Sequence, residues 1–214
     1  MDQTVNQAPE QMQYIVRRAT EMFIEQGIKA VRMDDIAHEL SISKRTLYEM
    51  FSDKRELMQA CLNYHVSTTN RELMNCLSKA ENVIEEIFLI IRAAYRENEH
   101  SRMFRQSINK YYPDLFEPFS RRQSKIASEH FRSMLRRGLE EGAFRSDTNV
   151  EFTEAMFVMM INGVVSSSQL MLPEGVTKQE AMSYVIVNFF RGISTEQGQR
   201  MVDEYRRKYN DIKV

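Results

Sequence analysis

Apolar residues return every three or four positions along most of the chain, which is the spacing of one face of an α-helix. An early stripe from Ile15 to Phe23 stops at Gly27, and glycine commonly follows the last turn of a helix. The longest stripe lies between Phe116 and Leu139 and predicts a helix of about seven turns. Because every long segment has helical rather than alternating spacing, an all-α fold is predicted.

Polar residues mark where several of these helices begin. A Ser, Thr or Asp followed three residues later by Glu is typical of a capping box, and the pattern occurs at Asp53-x-x-Glu56, Thr148-x-x-Glu151 and Thr177-x-x-Glu180. The last two boxes predict helices over 149–171 and 178–191. Thr195 can cap a short final helix by accepting a hydrogen bond from a first-turn N–H.

Two short predicted helices stand close together near residue 40. The first covers Asp34 to Leu40 and the second Lys44 to Phe51, with Ser41-Ile42-Ser43 between them. Two short helices joined by three or four residues, the second opening with polar and basic residues, are typical of a helix-turn-helix. Ser43 can cap the second helix. This segment is therefore predicted to bind DNA.

The position of the motif predicts the domain organisation. The helix-turn-helix and the helix before it form an N-terminal three-helix domain over residues 1–55. A helix over 56–77 joins it to a larger helical domain over 78–214, and no linker rich in proline or serine interrupts the chain. One helix is therefore expected to run through both domains.

Within the second helix of the motif, spacing divides the side chains between two faces. Leu47 and Phe51 are predicted to face the core. Lys44, Arg45 and Thr46 lie in the first turn, which in this motif meets base edges and flanking phosphates. Tyr48 shares the outer face and can give its hydroxyl to a phosphate. Lys54, in the first turn of the next helix, is interpreted as a second phosphate ligand, because free N–H groups there favour an anion.

Composition agrees with a helical, globular protein. The chain has 214 residues, of which 43% are apolar, with only seven glycines and four prolines, and a low content of both residue types favours helix. No run approaches the roughly 18 apolar residues of a membrane helix. The first residues also lack the charged-then-apolar pattern of a signal peptide. We therefore expect a cytoplasmic protein with no membrane partner.

The sequence does not indicate a metal site or an enzyme active site. Cys61 and Cys76 have no C-x-x-C spacing, and the four histidines fall on different predicted helices without an i,i+4 pair: His38, His65, His100 and His130. Glycine-rich phosphate loops, nucleophile elbows and metalloprotease motifs are also missing from the sequence. We expect no metal, no cofactor and no catalysis.

Charge alone leaves the function open. Residues 1–65 hold eight Lys or Arg and ten Asp or Glu, a net charge of −2, whereas DNA-binding domains are usually basic. Only the stretch 41–55 is locally positive. Segment 121–137 has six basic residues and one acidic residue. Its cations alternate with an apolar helical face, so we interpret them as solvated surface or as an approach for an anionic ligand.

The spacing of apolar and turn residues also resembles that of a known family. Three blocks carry the resemblance: Ala19-x-x-x-Phe23-x-x-x-Gly27, then Met33-x-Asp35-Ile36-Ala37, then Leu40-x-Ile42-Ser43-x-x-Thr46-Leu47-Tyr48-x-x-Phe51-x-x-Lys54-x-x-Leu57. Together they resemble the DNA-binding domain of the TetR (tetracycline repressor) family. The resemblance implies an all-helical homodimeric transcription regulator, usually a repressor, whose larger C-terminal domain binds a small molecule and thereby weakens DNA binding.

The resemblance also assigns DNA contacts to particular positions, which are Lys44, Arg45, Thr46, Tyr48 and Lys54. One position departs from the family, because Arg32 stands where Ser or Thr commonly caps the second helix. Arg32 cannot accept that hydrogen bond, so we expect either Asp34 to cap the helix slightly later or water to satisfy its end. Arg32 is then free to reach a phosphate.

In this family the last two long helices of each subunit form a four-helix bundle across the dimer axis. The predicted helices over 149–171 and 178–191 carry apolar residues on more than one face and are interpreted as the dimer interface. The middle helices would enclose the effector pocket. Several of the candidate pocket residues combine an apolar body with a polar tip or a flexible thioether. The alternative for each candidate is that it is simply a core residue. The candidates are Tyr95, Phe104, Tyr111, His130, Met134 and Met160.

The function expected from these observations is that of a homodimeric, sequence-specific DNA-binding regulator. The resemblance favours a repressor that leaves a palindromic double-stranded DNA operator when a small-molecule effector binds. An alternative from another class is a non-catalytic small-molecule binding or sensor protein without functional DNA binding. The net charge of −2 in residues 1–65 keeps that alternative open.

Overall fold

The computed structural model of the chain describes residues 7–97, 99–166 and 172–209, with side chains from Glu10 onwards except at 165–166. Over these residues the chain forms helices joined by short loops. In chain order they are α1 (Gln7–Gln26), α2 (Met33–Glu39), α3 (Lys44–Met50), α4 (Lys54–Leu77), α5 (Val83–Tyr95), α6 (Glu99–Tyr111), α7 (Pro113–Glu140), α8 (Val150–Ser166), α9 (Lys178–Ile193) and α10 (Glu196–Lys208). The predicted all-α fold is confirmed.

The chain divides into two compact units. The described residues of Met1–Glu72 and Glu97–Arg121 form the first unit, and those of Leu73–Arg96 and Arg122–Val214 form the second. This division assigns α6 to the first unit, whereas the expected boundary placed it in the C-terminal domain. Helix α6 packs on α1 because its apolar face belongs to the core of the first unit.

The first core joins residues that are far apart in sequence. Phe23 of α1, Leu47 of α3 and Leu57 of α4 are almost fully buried in it, and Phe104 and Ile108 of α6 close the same cluster. Burial of side chains of this size is the main favourable term in folding such a unit. The inward positions of Leu47 and Phe51 are confirmed.

The second core is centred on stacked aromatic rings. The rings of Phe131 and Phe157 stack at a centroid distance of 4.4 Å, and Phe190 contacts both of them. Phe144, in the loop after α7, stacks on Phe190 at 5.8 Å. Gly138 is required at this point because a Cβ there would lie 2.2 Å from the Phe144 ring.

Three buried carboxylates lie in the second unit, and each of them has at least one basic partner. Glu85 accepts hydrogen bonds from Lys208 and Tyr209, both at 2.7 Å. Glu86 pairs with His130 and Arg137. Glu154 accepts from Ser128 and Arg132. Each charge is therefore compensated, as buried carboxylates require.

Most predicted helix caps are confirmed. Ser43 accepts from the Thr46 N–H at 3.0 Å, Thr177 and Glu180 form the complete capping box, and Thr195 caps α10. Asp53 caps α4 through the Glu56 N–H at 2.8 Å, but the Glu56 carboxylate returns to the Ser52 N–H rather than to Asp53.

One predicted capping box is wrong. The side chain of Asn149, not Thr148, accepts from the Phe152 N–H at 2.8 Å, and α8 begins at Val150. The chain therefore enters the helix one residue later than the Thr148-x-x-Glu151 pattern predicted. Residues 167–171 of the helix predicted over 149–171 lie outside the described residues.

None of the helices in the described ranges is long and apolar enough to cross a lipid bilayer.

Candidate nucleic-acid interface

Helices α2 and α3 form a helix-turn-helix whose geometry is held by the turn between them. The Ser41 N–H donates to the His38 carbonyl and the Ile42 N–H to the Ala37 carbonyl, both at 3.0 Å. Ser41 has a φ of 53°, in the left-handed region that side chains other than Gly, Asn and Asp seldom adopt. Serine does not favour this conformation, so the sequence did not predict it at Ser41.

The outer face of α3 carries the residues predicted to contact DNA. Lys44, Arg45 and Tyr48 are exposed there, while Leu47 is buried on the opposite face. Thr46 is only half-exposed, and its hydroxyl lies 2.8 Å from the Ser43 hydroxyl in the N-terminal cap. Three of the four predicted recognition-helix residues therefore form one continuous exposed surface, and Thr46 takes part in holding the start of the helix.

Carboxylates on the same surface pair with both of its cations. Lys44 Nζ lies 2.6 Å from Asp34 Oδ2, and Arg45 Nε lies 2.8 Å from Glu49 Oε1. The Arg45 side chain is 88% exposed, and exposed pairs of this kind contribute little to stability. An approaching phosphate can therefore replace either carboxylate as the partner at small cost.

Lys54 is the predicted phosphate ligand whose surroundings differ most from expectation. Its ammonium donates to the backbone carbonyls of Ile28 and Val31 and lies 5.6 Å from the centre of the Phe23 ring. Burial lowers the pKa of Lys54, and the charge of Asp35 opposes that shift. Lys54 therefore ties the loop between α1 and α2 to the first turn of α4.

Arg32 precedes the first residue of α2, and its side chain is exposed. Of the two alternatives expected for this helix end, capping by Asp34 is not found, because Arg32 is the N-cap residue. The Asp35 carboxylate accepts from the Arg32 N–H at 2.7 Å, because Asp35, in the first turn, can fold back over the helix end. Asp34 instead pairs with Lys44. The Arg32 guanidinium remains a candidate phosphate ligand.

Two of the six candidate effector residues belong to the first unit. Phe104 is buried in its core, where its ring meets the edge of the His65 ring at 5.6 Å. Tyr111 is 40% exposed, and Lys29 Nζ lies 3.9 Å from the centre of its ring. Phe104 therefore has the packing role that was the alternative interpretation of this residue.

The other four candidates belong to the second unit. Met134 is buried in the second core, Tyr95 packs against that core, and Met160 is half-buried. His130 Nε2 lies 2.8 Å from Glu86 Oε1. Burial would raise the pKa of Glu86, but the neighbouring His130 and Arg137 side chains outweigh it and hold this pKa below its usual value. The structure does not bring all six candidates together within one unit.

Helices α8 and α9 expose a stripe of large apolar side chains. Phe152 is 66% exposed and Met159 is 74% exposed, with Met156 between them on the same face of α8. Tyr184 of α9 is also exposed, whereas Phe157 turns into the second core. Exposed apolar side chains at helical spacing commonly mark a protein–protein contact.

In the described part of the chain, no group of three or more His, Cys, Asp or Glu side chains is arranged to hold a metal ion.

Residues 15–61 match the family described as bacterial regulatory proteins, tetR family. The transcriptional activator FasR of Mycolicibacterium smegmatis is 31% identical over 112 residues, which cover 52% of this chain and 50% of FasR. The repressor KstR2 of Mycobacterium tuberculosis is 22% identical over 155 residues, covering 71% of this chain and 78% of KstR2. The alignment thus spans only half the length of FasR.

Solved structures share the fold of this chain. A transcriptional regulator from Cytophaga hutchinsonii superposes with a TM-score of 0.70 at 17% identity, covering 86% of this chain and 99% of that one. A second regulator from the same organism, described as a member of the TetR family, gives a TM-score of 0.68 at 13% identity, covering 87% and 96%. At these identities the likeness concerns the fold alone.

Proposed function

The chain belongs to the TetR family of bacterial transcription regulators, and on that premise we propose that it represses transcription from a palindromic operator until a small-molecule effector releases it. It is a regulator rather than an enzyme, as its relatives are. The name of KstR2, which aligns over 71% of this chain, supports repression. The name of FasR supports transcription control of the opposite sign.

One observation carries the DNA-binding part of the proposal. Lys44, Arg45 and Tyr48 are exposed together on a helix whose opposite face, at Leu47, is buried in the core. A short helix anchored in this way presents its first turn to the major groove. We assign base contact to Arg45 and Thr46, backbone contact to Tyr48, and either role to Lys44.

Arg32 and Lys54 are assigned differently within this proposal. The exposed Arg32 guanidinium reaches a phosphate next to α2. Lys54 acts mainly by positioning the loop before α2 through the Ile28 and Val31 carbonyls. An ammonium has three donors, so one N–H of Lys54 remains to bind a phosphate.

The dimer part of the proposal rests on the exposed stripe of α8 and α9. A second copy of the chain would cover Phe152, Met156, Met159 and Tyr184 about a two-fold axis. A dimer places two recognition helices on half-sites about 34–36 Å apart, one turn of DNA, so the operator is expected to be palindromic.

The effector part of the proposal concerns the helices after Leu77. We propose a mostly apolar small molecule with a few oriented hydrogen bonds, bound among helices that carry Tyr95, His130, Met134 and Met160. Phe104 and Tyr111 belong to the first unit and are not included in this site; Phe104 is better explained as core. Effector binding favours the conformation with the weaker operator affinity, and the coupling is reciprocal.

An electrophoretic shift assay with DNA fragments from upstream of the gene tests the proposal. We expect a complex that weakens as salt rises and that Arg45→Ala alters sequence preference. Lys79→Ala is the matched control, since Lys79 is exposed in the loop between α4 and α5. If no fragment forms a salt-sensitive complex, the proposal is wrong and the alternative of a small-molecule binding protein without DNA binding takes its place.

A further inference from the structure

We propose that Lys29, Lys110 and Tyr111 form a second contact with the DNA backbone, outside the helix-turn-helix. Lys29 lies in the loop between α1 and α2, and the other two residues end α6. Lys29 Nζ is 3.9 Å and Lys110 Nζ is 5.3 Å from the centre of the Tyr111 ring. All three side chains are exposed. This cluster rests on the proposed function, because it adds to a DNA contact that the helix-turn-helix makes.

The cluster carries two positive charges. Within the described part of the chain, neither lysine forms an ion pair with a carboxylate. Both lysines lower the pKa of the Tyr111 hydroxyl. The larger effect is a hydrogen bond from Lys29, and the next is the charge of Lys110. Two ammonium groups beside one hydroxyl have the donors and the charge to bind a phosphate.

The segments that carry the cluster are attached to the first turn of α4, which follows the recognition helix α3 directly. Lys54, in the first turn of α4, bonds the carbonyls of Ile28 and Val31 on either side of Lys29. Arg55, the next residue, pairs with Asp114 just after α6, with one N–O distance of 3.2 Å. The loop between α1 and α2 and the start of α7, two residues after α6, are therefore both attached to the first turn of α4.

The charge of the region explains why such a contact is needed. Residues 1–65 have a net charge of −2, and both cations of α3 already have carboxylate neighbours. Most of the affinity of a protein for DNA comes from neutralising phosphates. A DNA phosphate bound by Lys29 and Lys110 would strengthen binding to any duplex that extends to this part of the protein surface, whatever its base sequence.

A double variant Lys29→Ala/Lys110→Ala tests the contact in the full-length chain. The probes are a duplex selected by the wild-type chain from random DNA and an unselected duplex of the same length. We expect the slope of log K against log salt to become less steep by about 0.9 per subunit. Affinity should fall roughly five- to tenfold per subunit at low salt, for both duplexes in similar proportion.

Three further variants separate a phosphate contact from a packing role. Lys29→Arg/Lys110→Arg keeps both charges and should keep both affinity and slope, whereas Lys79→Ala removes an exposed cation elsewhere and should change neither. Lys110→Ala alone leaves the Lys29–Tyr111 contact intact and should lose part of the slope without changing the thermal midpoint.

The outcomes distinguish this inference from the proposed function. If selection yields no duplex and the wild-type chain does not bind the unselected one, both are overturned. A wild-type chain that binds, with an unchanged salt slope in the double variant and in Lys110→Ala, overturns the cluster alone. An equal loss of affinity in the Arg and Ala double variants likewise overturns it, because a packing role would then explain the effect.

Discussion

The carboxylates of Asp34 and Glu49 lie on the same exposed surface as the cations proposed to bind DNA. Each pairs with one cation of α3, and each brings a negative charge close to the path proposed for the phosphates. Their effect on binding is therefore expected to be opposite to that of Lys44 and Arg45. The acidic residues also account for part of the unusual charge of this region.

Neutralising either carboxylate should strengthen DNA binding. We expect Asp34→Asn and Glu49→Gln each to raise affinity about two- to fivefold at low salt, because exposed ion pairs are weak and repulsion from the phosphates is removed. Fluorescence anisotropy with labelled duplex measures the change. Glu140→Gln, an exposed carboxylate at the end of α7, is the control. Weaker binding in both variants would mean that these pairs orient the cations.

A second residue-scale prediction concerns Gly138. A Cβ at this position would lie 2.2 Å from two atoms of the buried Phe144 ring, so Gly138→Ala forces the ring to move. We expect a loss of about 1–3 kcal/mol in the free energy of unfolding and a fall in melting temperature of about 2–4 °C per kcal/mol. Gly192→Ala has no atom within 4 Å of the new Cβ and should cost far less. Equal midpoints for both variants would contradict the close packing.

At the scale of elements, the last helix is attached to α5 through a buried carboxylate. Glu85 accepts from Lys208 and Tyr209 and from the Glu81 N–H at 2.8 Å. Burial alone would raise the pKa of Glu85, but these hydrogen bonds outweigh it and lower the pKa. Burial and the same contact raise the pKa of Tyr209 to about 12.

Tyr209→Phe removes one hydrogen-bond donor from the Glu85 carboxylate. The stability that the variant loses should therefore depend on pH. A carboxyl with a lowered folded-state pKa stabilises the chain above its unfolded pKa, and this contribution disappears as the pH falls through the folded pKa. The variant should therefore lose about 1–3 kcal/mol near neutral pH and less near pH 4. Urea unfolding at both pH values measures the difference.

A control variant and an opposing outcome accompany that experiment. Tyr14→Phe changes an exposed tyrosine of α1 and should leave the stability of the chain nearly unchanged at both pH values. If Tyr209→Phe lost the same free energy at acid and neutral pH, the hydroxyl would be acting through packing and not through the charge of Glu85.

At the scale of the whole molecule, assembly is expected to depend on the exposed stripe of α8. We expect Phe152→Glu/Met159→Glu to be monomeric by light scattering and to lose operator affinity by at least tenfold, because a single half-site remains. Met103→Glu, at an exposed methionine of α6, should stay dimeric. A double variant that remains dimeric would place the interface elsewhere, and circular dichroism checks that both variants keep their helices.

Local sequence patterns predicted most of the fold. The helical period located the helices, and polar caps at Ser43, Thr177 and Thr195 predicted where three of them begin. At Thr148 the capping pattern failed because Asn149 is an equally good acceptor one residue later. Caps depend on which of several neighbouring acceptors the backbone geometry favours, and that choice is not visible in spacing alone.

The candidate interface was predictable only in part. The exposed positions of Lys44, Arg45 and Tyr48 follow from their spacing relative to Leu47 on one short helix. The contacts of Lys54 with the Ile28 and Val31 carbonyls could not be predicted in the same way. Long cationic side chains reach several partners, and which one they meet depends on how separate loops are folded together.

The sequence by itself determined the all-α class, the site of the helix-turn-helix and the family resemblance. These features depend on residues a few positions apart, and such neighbours have fixed relative directions on a helix. Only the tertiary structure decided that α6 packs with the N-terminal helices, that Asp34 pairs with Lys44, and that Lys29 meets Tyr111. Those contacts join segments distant in sequence, so they follow from the packing of whole helices and not from local spacing.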